Sequence, residues 1–381
     1  MSTFDNIIVS VEPFGNKLIC EYIRKSGTPG VCSYTRKYSS FTVPFNCIVS
    51  MIKSIIFEYY GDADDEGVAF DSTFDEDEYN DTKILVSVNN GYILPKDRRF
   101  FEDIEGLLSH HAFICKNDNL YVDIINQINA TNLVEKNPYG LRIDEEYYLD
   151  WTYISRKAIE FANQCFCLSY IQKELNSSLF YILSAIQRKH KDLLINWRVK
   201  LYRCVNYSKP LKTVSFLDLT SPPVEKTTDL RMSRKGDSVF YGSVDKGTAI
   251  REALAEGVKY YAYVGEFESI DELNLLDLTK ITKKIDIFEM PKNDYFLLRF
   301  LKRFCEDISR PIKGKTIEYV PTQLITYYFR NCMKRYDGNG NKYGLDGILY
   351  SSSKGGCTNA VLFFNHDESS KHLRLLKYSC I

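Results

Sequence analysis

The chain has 381 residues, 44% hydrophobic and 26% charged, with 49 Lys+Arg against 50 Asp+Glu and a formal net charge of −1. That length is enough for two cores of ordinary size. So even a charge balance argues against a general phosphate-backbone binder, whose affinity grows with each phosphate neutralised, but it leaves room for a local basic site. No stretch approaches the ~20 apolar residues of a membrane span, and the start Met1-Ser2-Thr3-Phe4-Asp5 lacks the basic-then-apolar layout of a secretory signal. A cytoplasmic protein is expected. The 11 cysteines are scattered, and Cys47, Cys165, Cys167, Cys305 and Cys332 sit in apolar runs, where a thiol packs as a small hydrophobe; no disulfides are expected. Aromatics reach 14%, favouring an aromatic-rich core and a site that stacks a planar ligand.

In chain order, residues 7–11 and 17–22 around Pro13-Phe14-Gly15-Asn16 read as a hairpin. A helix is predicted over 43–60, where Ile48, Met51, Ile52, Ile55, Ile56 and Tyr59 recur at three- and four-residue spacing before Gly61. Residues 62–81 read as an exposed acidic loop without the ligand spacing of an EF-hand. A strand at 83–88, a helix at 100–110 and a further apolar element at 121–128 follow. Residues 151–191 are helical by spacing, from Trp151, Ile154 and Ala158 onward, with a break near 176–178. The first half is thus mainly helical. After Asn196 the texture changes to strands at 200–205, 238–241, 260–267, 273–278, 347–351 and 360–364, with helices at 247–257, 290–308 and 321–335. A domain boundary is placed near 190–200, and the Pro-containing run 208–229 reads as a long functional loop.

Common catalytic frameworks are missing. The five histidines form no HExxH or Cys/His zinc spacing, and His110 and His111 are expected on different faces of a helix. Cys165-Phe-Cys167 lacks the redox spacing and reads as packing. There is no GxSxG elbow, Walker A or Rossmann fingerprint. What remains is Asp229 to Glu252, where Arg231 and Arg234, a turn at Gly236, Tyr241 on a strand end and Glu252 in a helix share one supersecondary unit. Such a unit can hold a dinucleotide: guanidiniums on pyrophosphate, a ring on the base, a carboxylate on a ribose hydroxyl. By spacing alone, the plainer reading of solvated basic residues, a core Tyr and a surface Glu is favoured. A second segment, Tyr319 to Gln323 and then Leu345 to Phe363, ends a strand in a Ser- and Gly-rich turn that offers hydroxyls and N–H groups to phosphate or ribose. Alone, it too reads as a polar hairpin loop.

Taken together and in order, these segments resemble the RES domain, a family of NAD-consuming bacterial toxins. The family's blocks are matched by Leu201-Tyr-Arg203, by Arg231 and Gly236, by Phe240-Tyr-Gly242 and by Thr248-Ala-Ile-Arg-Glu252. Further matches are Leu276-Asp-Leu278, Ser309-Arg-Pro311, Tyr319-Val-Pro-Thr-Gln323, Asp346 to Ser352 and Asn359 to Phe363. Ser233 stands where the family has Asn, and Leu230 where it has Gly. Upstream, Val31 to Thr35, the helix to Tyr60, and Trp151 with Phe161 resemble the HEPN-like domain that precedes RES domains. The paired zinc thiols of related N-termini are halved here to Cys20 and Cys32, so no metal is expected. No Arg stands in the HEPN ribonuclease relation to a His.

The resemblance implies an α+β chain: a mainly helical HEPN/RES-like regulatory or interaction domain over 1–195, then a mixed α/β RES domain over 196–381 with an ADP-ribosyltransferase-like fold. It implies cleavage of the nicotinamide–ribose bond of NAD, by a glycohydrolase or phosphorylase, in a toxin or antiviral effector. The implied catalytic residues are Arg231, Tyr241, Glu252 and Ser352. Arg203, Gly236, Ser243, Gln323 and Asn359 would bind the substrate, Gln323 and Asn359 chiefly by supporting its loops. NAD is substrate and no cofactor is implied. Expected partners are an antitoxin or regulatory protein and a second copy of the chain, with neither nucleic acid nor membrane. The rival readings are ADP-ribose transfer to a macromolecule and a non-catalytic NAD or ADP-ribose sensor.

Overall fold

The structure, a computed structural model, describes residues 6–68, 98–164, 173, 193–254, 261–282, 285–310, 316–336, 342–352 and 357–381. They form an α+β protein of two compact units: residues 1–144 with 284–299, and residues 145–283 with 300–381.

The first unit contains β1 (Ile8–Ser10), β2 (Thr28–Val31), β3 (Tyr38–Pro44), β4 (Tyr60–Asp62), β5 (Phe100–Asp103) and β6 (Thr131–Glu135). They make two antiparallel sheets, ordered β1-β3-β2 and β4-β6-β5. The helix expected over 43–60 forms as Phe45–Tyr59, with Ile48, Ile52, Ile55, Ile56 and Tyr59 buried along one stripe. The opening hairpin does not form. Residues Lys17–Ser26 are a helix that buries Ile19, Cys20 and Ile23, a helical spacing, while β1 pairs with β3. Asn16 holds the entry to that helix: its Oδ1 accepts from the Ile114 N–H at 2.6 Å, and its Nδ2 donates to Glu289 at 3.0 Å. Both partners are distant in sequence, so local patterning could not reveal them.

The helix expected from residue 100 starts at Ile104, after β5, where Asp103 caps it by accepting from the Gly106 N–H at 2.8 Å. His110 stays exposed at the helix end while its neighbour is buried. His111 lies past the helix end, turns inward to 3% exposure and puts its ring 4.8 Å from that of His110, with Tyr60 Oη 2.7 Å from its Nε2. The predicted strand 83–88, most of the acidic loop, Cys165, Cys167 and, apart from residue 173, the helical run beyond 164 lie outside the described residues.

In the second unit the strands are β7 (Leu194–Trp197), β8 (Lys200–Tyr207), β9 (Phe240–Ser243), β10 (Tyr261–Ser269), β11 (Leu273–Asp277), a small pair β12 (Lys334–Tyr336) and β13 (Lys342–Gly344), then β14 (Gly347–Ser351), β15 (Thr358–Leu362) and β16 (Leu373–Cys380). Eight of them build one mixed sheet, ordered β16-β10-β8-β9-β15-β14-β11-β7. The β11–β14 pair is parallel and the other neighbours are antiparallel. Both edge strands escaped the sequence patterning: β16 reads LRLLKYSC, without clean alternation. The expected loop at 208–229 contains a short helix, Phe216–Leu219, and a 3-10 turn, Val224–Lys226.

One face of this sheet is apolar. Leu201, Phe240, Phe267, Leu275, Leu349, Ala360 and Leu362 form its core, with Phe240 edge-on to Phe267 at 5.0 Å. Since strand side chains alternate, Tyr241, Tyr350, Asn359 and Val361 belong to the other face, and Tyr350 stands opposite Asn359 in the β14–β15 register. The central strands approach closely: a Cβ on Gly347 would lie 2.4 Å from the Val361 carbonyl oxygen. Gly347→Ala should therefore push β14 off β15 and cost about 1–3 kcal/mol, as overpacked cores do. A denaturation midpoint unchanged from the parent would show that the strands have slack there.

Candidate active site

β9 runs into a tight turn and then the helix Lys246–Leu254. Asp245 caps this helix, accepting from the Thr248 N–H at 2.6 Å and the Thr248 hydroxyl at 2.8 Å; these bonds hold its carboxyl below the usual range. Ser243 sets the turn, its hydroxyl donating to the Thr358 carbonyl at 3.2 Å and accepting from the Asp245 N–H at 3.3 Å. Thr248 and Ala249 are buried, and Glu252 lies four and three residues further on, so it shares their inward stripe.

Glu252 Oε1 accepts hydrogen bonds from the Ser352 hydroxyl at 2.7 Å and from Asn359 Nδ2 at 3.1 Å. Ser352 follows the end of β14, where its N–H donates to the Cys357 carbonyl at 2.8 Å, and Asn359 belongs to β15. Both are nearly buried, at 6% and 5% exposure, so the two donors are fixed before any ligand arrives. Tyr350 completes this corner. Burial pushes its phenol up to about 12; Arg231 pulls it down, Glu252 pushes it up and a hydrogen bond with Asn359 lowers it. Arg231 and Glu252 thus act electrostatically on one buried phenol.

The loop that carries Arg231 is held from beneath by the helix Val320–Asn331. Gln323 Nε2 donates to the carbonyls of Leu230 at 2.9 Å and Ser233 at 3.3 Å, and the Thr322 hydroxyl donates to the Arg231 carbonyl at 2.6 Å. Leu230 and Ser233 also exchange backbone hydrogen bonds. Tyr241 Oη accepts from the Met232 N–H at 3.1 Å and lies 3.1 Å from the Ser233 hydroxyl, while burial pushes its phenol above the ordinary range. Arg231 Nη1 donates to the Ile308 carbonyl at 2.9 Å. Gly236 has φ +97°, a conformation that glycine adopts without strain, and its N–H donates to the Thr227 hydroxyl at 2.7 Å.

The residues singled out from the sequence therefore fall into three groups. Glu252, Ser352 and Asn359 are joined directly, and Arg231 and Glu252 both act electrostatically on Tyr350. Tyr241 and Gln323 hold the Arg231 loop. Ser243 and Gly236 shape turns, and Arg203 stays on the apolar face with Leu201 and Val205, donating to the Tyr241 carbonyl at 2.9 Å with its guanidinium 5.5 Å from the Phe240 ring centre. Tyr350 was not among the sequence candidates. Its signal was present: strand alternation puts it on the face of Ser352, two residues later.

Chemically, this corner has a carboxylate that the neutral Ser352 and Asn359 side chains orient, with Arg231 acting on the same buried phenol as Glu252. It can face a developing positive charge or orient a hydroxyl. Among the described residues, no group of three His, Cys, Asp or Glu side chains is gathered to hold a metal ion. Compared with known families, residues 200–378 match the model described as RES domain, and residues 25–157 match HEPN/RES N-terminal domain 1. No curated protein matches the chain.

Two outcomes test this arrangement. Gln323→Leu leaves the Leu230 and Ser233 carbonyls without their side-chain donor and should lower stability by about 1–3 kcal/mol, read as a shifted denaturation midpoint. The second concerns Tyr350, whose phenol is raised from 10.0 to about 12, so between those pH values the unfolded chain releases a proton that the folded chain keeps. Stability from this group is whole below pH 10 and is lost as pH rises through 12. Tyr350→Phe should flatten the pH dependence of unfolding in that window; an unaltered slope would place the phenol in solvent.

Proposed function

The chain carries a RES domain behind a HEPN/RES N-terminal domain 1, and from that premise we propose that it cleaves the bond between nicotinamide and ribose in NAD, as a glycohydrolase or phosphorylase. The observation that carries this reading is the convergence of Ser352 and Asn359 on Glu252. Depletion of NAD would make the protein a growth-arresting toxin or antiviral effector. An ADP-ribosyltransferase-like arrangement of the eight-stranded sheet is part of the same proposal.

The chemistry suits these residues. When the C1′–N1 bond breaks, its electron pair goes to the pyridinium nitrogen, and nicotinamide leaves neutral without needing a proton. The enzyme's task is then to stabilise positive charge spreading over the ribose C1′ and ring oxygen and to place an acceptor. Glu252 faces that charge. Its orientation is set beforehand by Ser352 and Asn359, so little reorganisation accompanies the reaction. Arg231 grips the pyrophosphate, and Tyr241 positions the nicotinamide side. A water oxygen then bonds to C1′ and loses a proton to solvent, giving ADP-ribose; phosphate in its place gives the 1″-phosphate. Free activity of this kind endangers its own cell, so the proposal includes restraint by a partner protein, by self-association or by the N-terminal domain.

The test follows nicotinamide release from NAD by the purified full-length chain, with and without phosphate. Glu252→Ala should lower kcat by about 100-fold or more with a much smaller change in KM, because its contribution grows in the transition state. Ser352→Ala should cost about ten-fold, the worth of one hydrogen bond to a charged group. A folded Glu252→Ala variant that consumes NAD as fast as the parent would remove Glu252 from the mechanism. A macromolecule left carrying ADP-ribose would replace hydrolysis with transfer.

A further inference from the structure

Arg231 is carried by a loop, but one of its donors is tied to a helix: Nη1 donates to the Ile308 carbonyl at 2.9 Å. Ile308 lies in the last turn of the helix Lys292–Ser309. Carbonyls in that turn have no intrahelical partner, and the C-terminal end of a helix favours a cation, so a guanidinium is well placed there. Terminal turns also fray unless a neighbour holds them. The place of Arg231 therefore depends on what fixes the turn that ends at Ser309.

A second helix, Ile143–Gln164, fixes it. Tyr148 Oη donates to Asp307 Oδ2 at 2.7 Å, one residue before Ile308. Burial and the Asp307 carboxylate raise the Tyr148 phenol above its ordinary range, so it stays a donor. Arg303 lies over the same ring, 3.9 Å from its centre, and Trp151 meets Phe304 edge-on at 4.9 Å. Trp151, Phe304 and Ile308 are buried. Arg310 also pairs with Asp307, at 3.3 Å, but it is exposed and adds little. These residues belong, with Arg231, to the second compact unit. Yet Tyr148 and Trp151 lie within residues 25–157, the span matched to HEPN/RES N-terminal domain 1. The end of that match is thus built into the unit that carries the site.

We propose that Tyr148 is a positioning residue for Arg231, a role that rests on reading Arg231 as the pyrophosphate contact. By pinning the last turn of Lys292–Ser309, Tyr148 sets the Ile308 carbonyl and with it the guanidinium. This gives the N-terminal domain a route to the site, since a partner that draws the helix Ile143–Gln164 away from Asp307 releases Arg231.

ADP-ribose is the probe, because it carries the pyrophosphate and has no nicotinamide to lose. In calorimetric titration of the full-length chain, Tyr148→Phe, which keeps the ring, should bind it about five-fold more weakly than the parent. Asp307→Asn, which can still accept from Tyr148, should stay within about two-fold of the parent. In an Arg231→Ala background, titrated with millimolar ADP-ribose, Tyr148→Phe should change nothing further, whereas a merely structural role would add its loss in both backgrounds. No binding of ADP-ribose, equal binding by the parent and Tyr148→Phe, or additive losses would each overturn the assignment. Nicotinamide release from NAD tests the underlying reading separately. The coupled pattern in a chain that leaves NAD intact would end the glycohydrolase reading and keep the role of Tyr148; NAD cleavage with ADP-ribose binding indifferent to Tyr148 would do the reverse.

Discussion

Everything in the candidate site depends on one carboxylate oxygen held by two donors that lie 100 and 107 residues away along the chain. Hydrogen bonds to a charged group are worth about 1.5–3 kcal/mol each, but their larger effect here is geometric. They give Glu252 one orientation. That orientation exists only because β9, β15 and β14 are adjacent, with Ser243 opposite Asn359 and Tyr350 opposite the same Asn359 in the next pair. A slip of one residue in either register would turn Asn359 or Tyr350 into the apolar face and dissolve the corner. Such a slip is strongly opposed, because the same shift would take Ala360, Leu362 and Leu349 out of the core they fill and force Val361 and Ile348, which are buried on the other face, into their places.

The register that buries the Phe240 face therefore also builds the polar corner on the other face, beside the buried Val361 and Ile348. Glycine supports this where strands come closest: Gly347 lies against the Val361 carbonyl, and a Cβ on Gly242 would meet the Phe240 ring at 2.8 Å and Leu201 at 3.2 Å. The second support comes from outside the sheet. Gln323 and Thr322, side by side on a helix, tie down the carbonyls of Leu230, Arg231 and Ser233 in the Arg231 loop. Ser233 fits this arrangement without an amide side chain, since its hydroxyl reaches Tyr241 Oη. A basic residue on a loop is thereby given a defined place, as a preorganised site requires.

The first unit shows how polar contacts across long separations override local patterning. Residues 17–22 carry an alternation that suits a strand, yet helical spacing of Ile19, Cys20 and Ile23 wins once Asn16 is engaged by Ile114 and Glu289. His111 likewise leaves the helix of His110 because a buried place beside Tyr60 and Asp286 accommodates its ring. Two three-stranded sheets accompany the helices here, and the buried positions of the strand Tyr38–Pro44 at the centre of one do not alternate, so period-two patterning does not declare it.

What the sequence determined by itself were the elements with strong local period or punctuation. The helix Phe45–Tyr59, the strand Gly347–Ser351 and the helix that opens at Pro321 are legible from apolar spacing, Gly and Pro, because those signals act within a few residues. The order of the Arg, Tyr, Glu and Ser blocks also identified which residues to watch. Only the tertiary structure decided which of them meet. Arg203 turned to the apolar face, Ser243 became a turn residue, Tyr350 entered the corner, and Gln323 joined the Arg231 loop to the helix Val320–Asn331. Those outcomes depend on strand order and register, which are settled by burying one face of an eight-stranded sheet as a whole, and no window of neighbouring residues contains that sum.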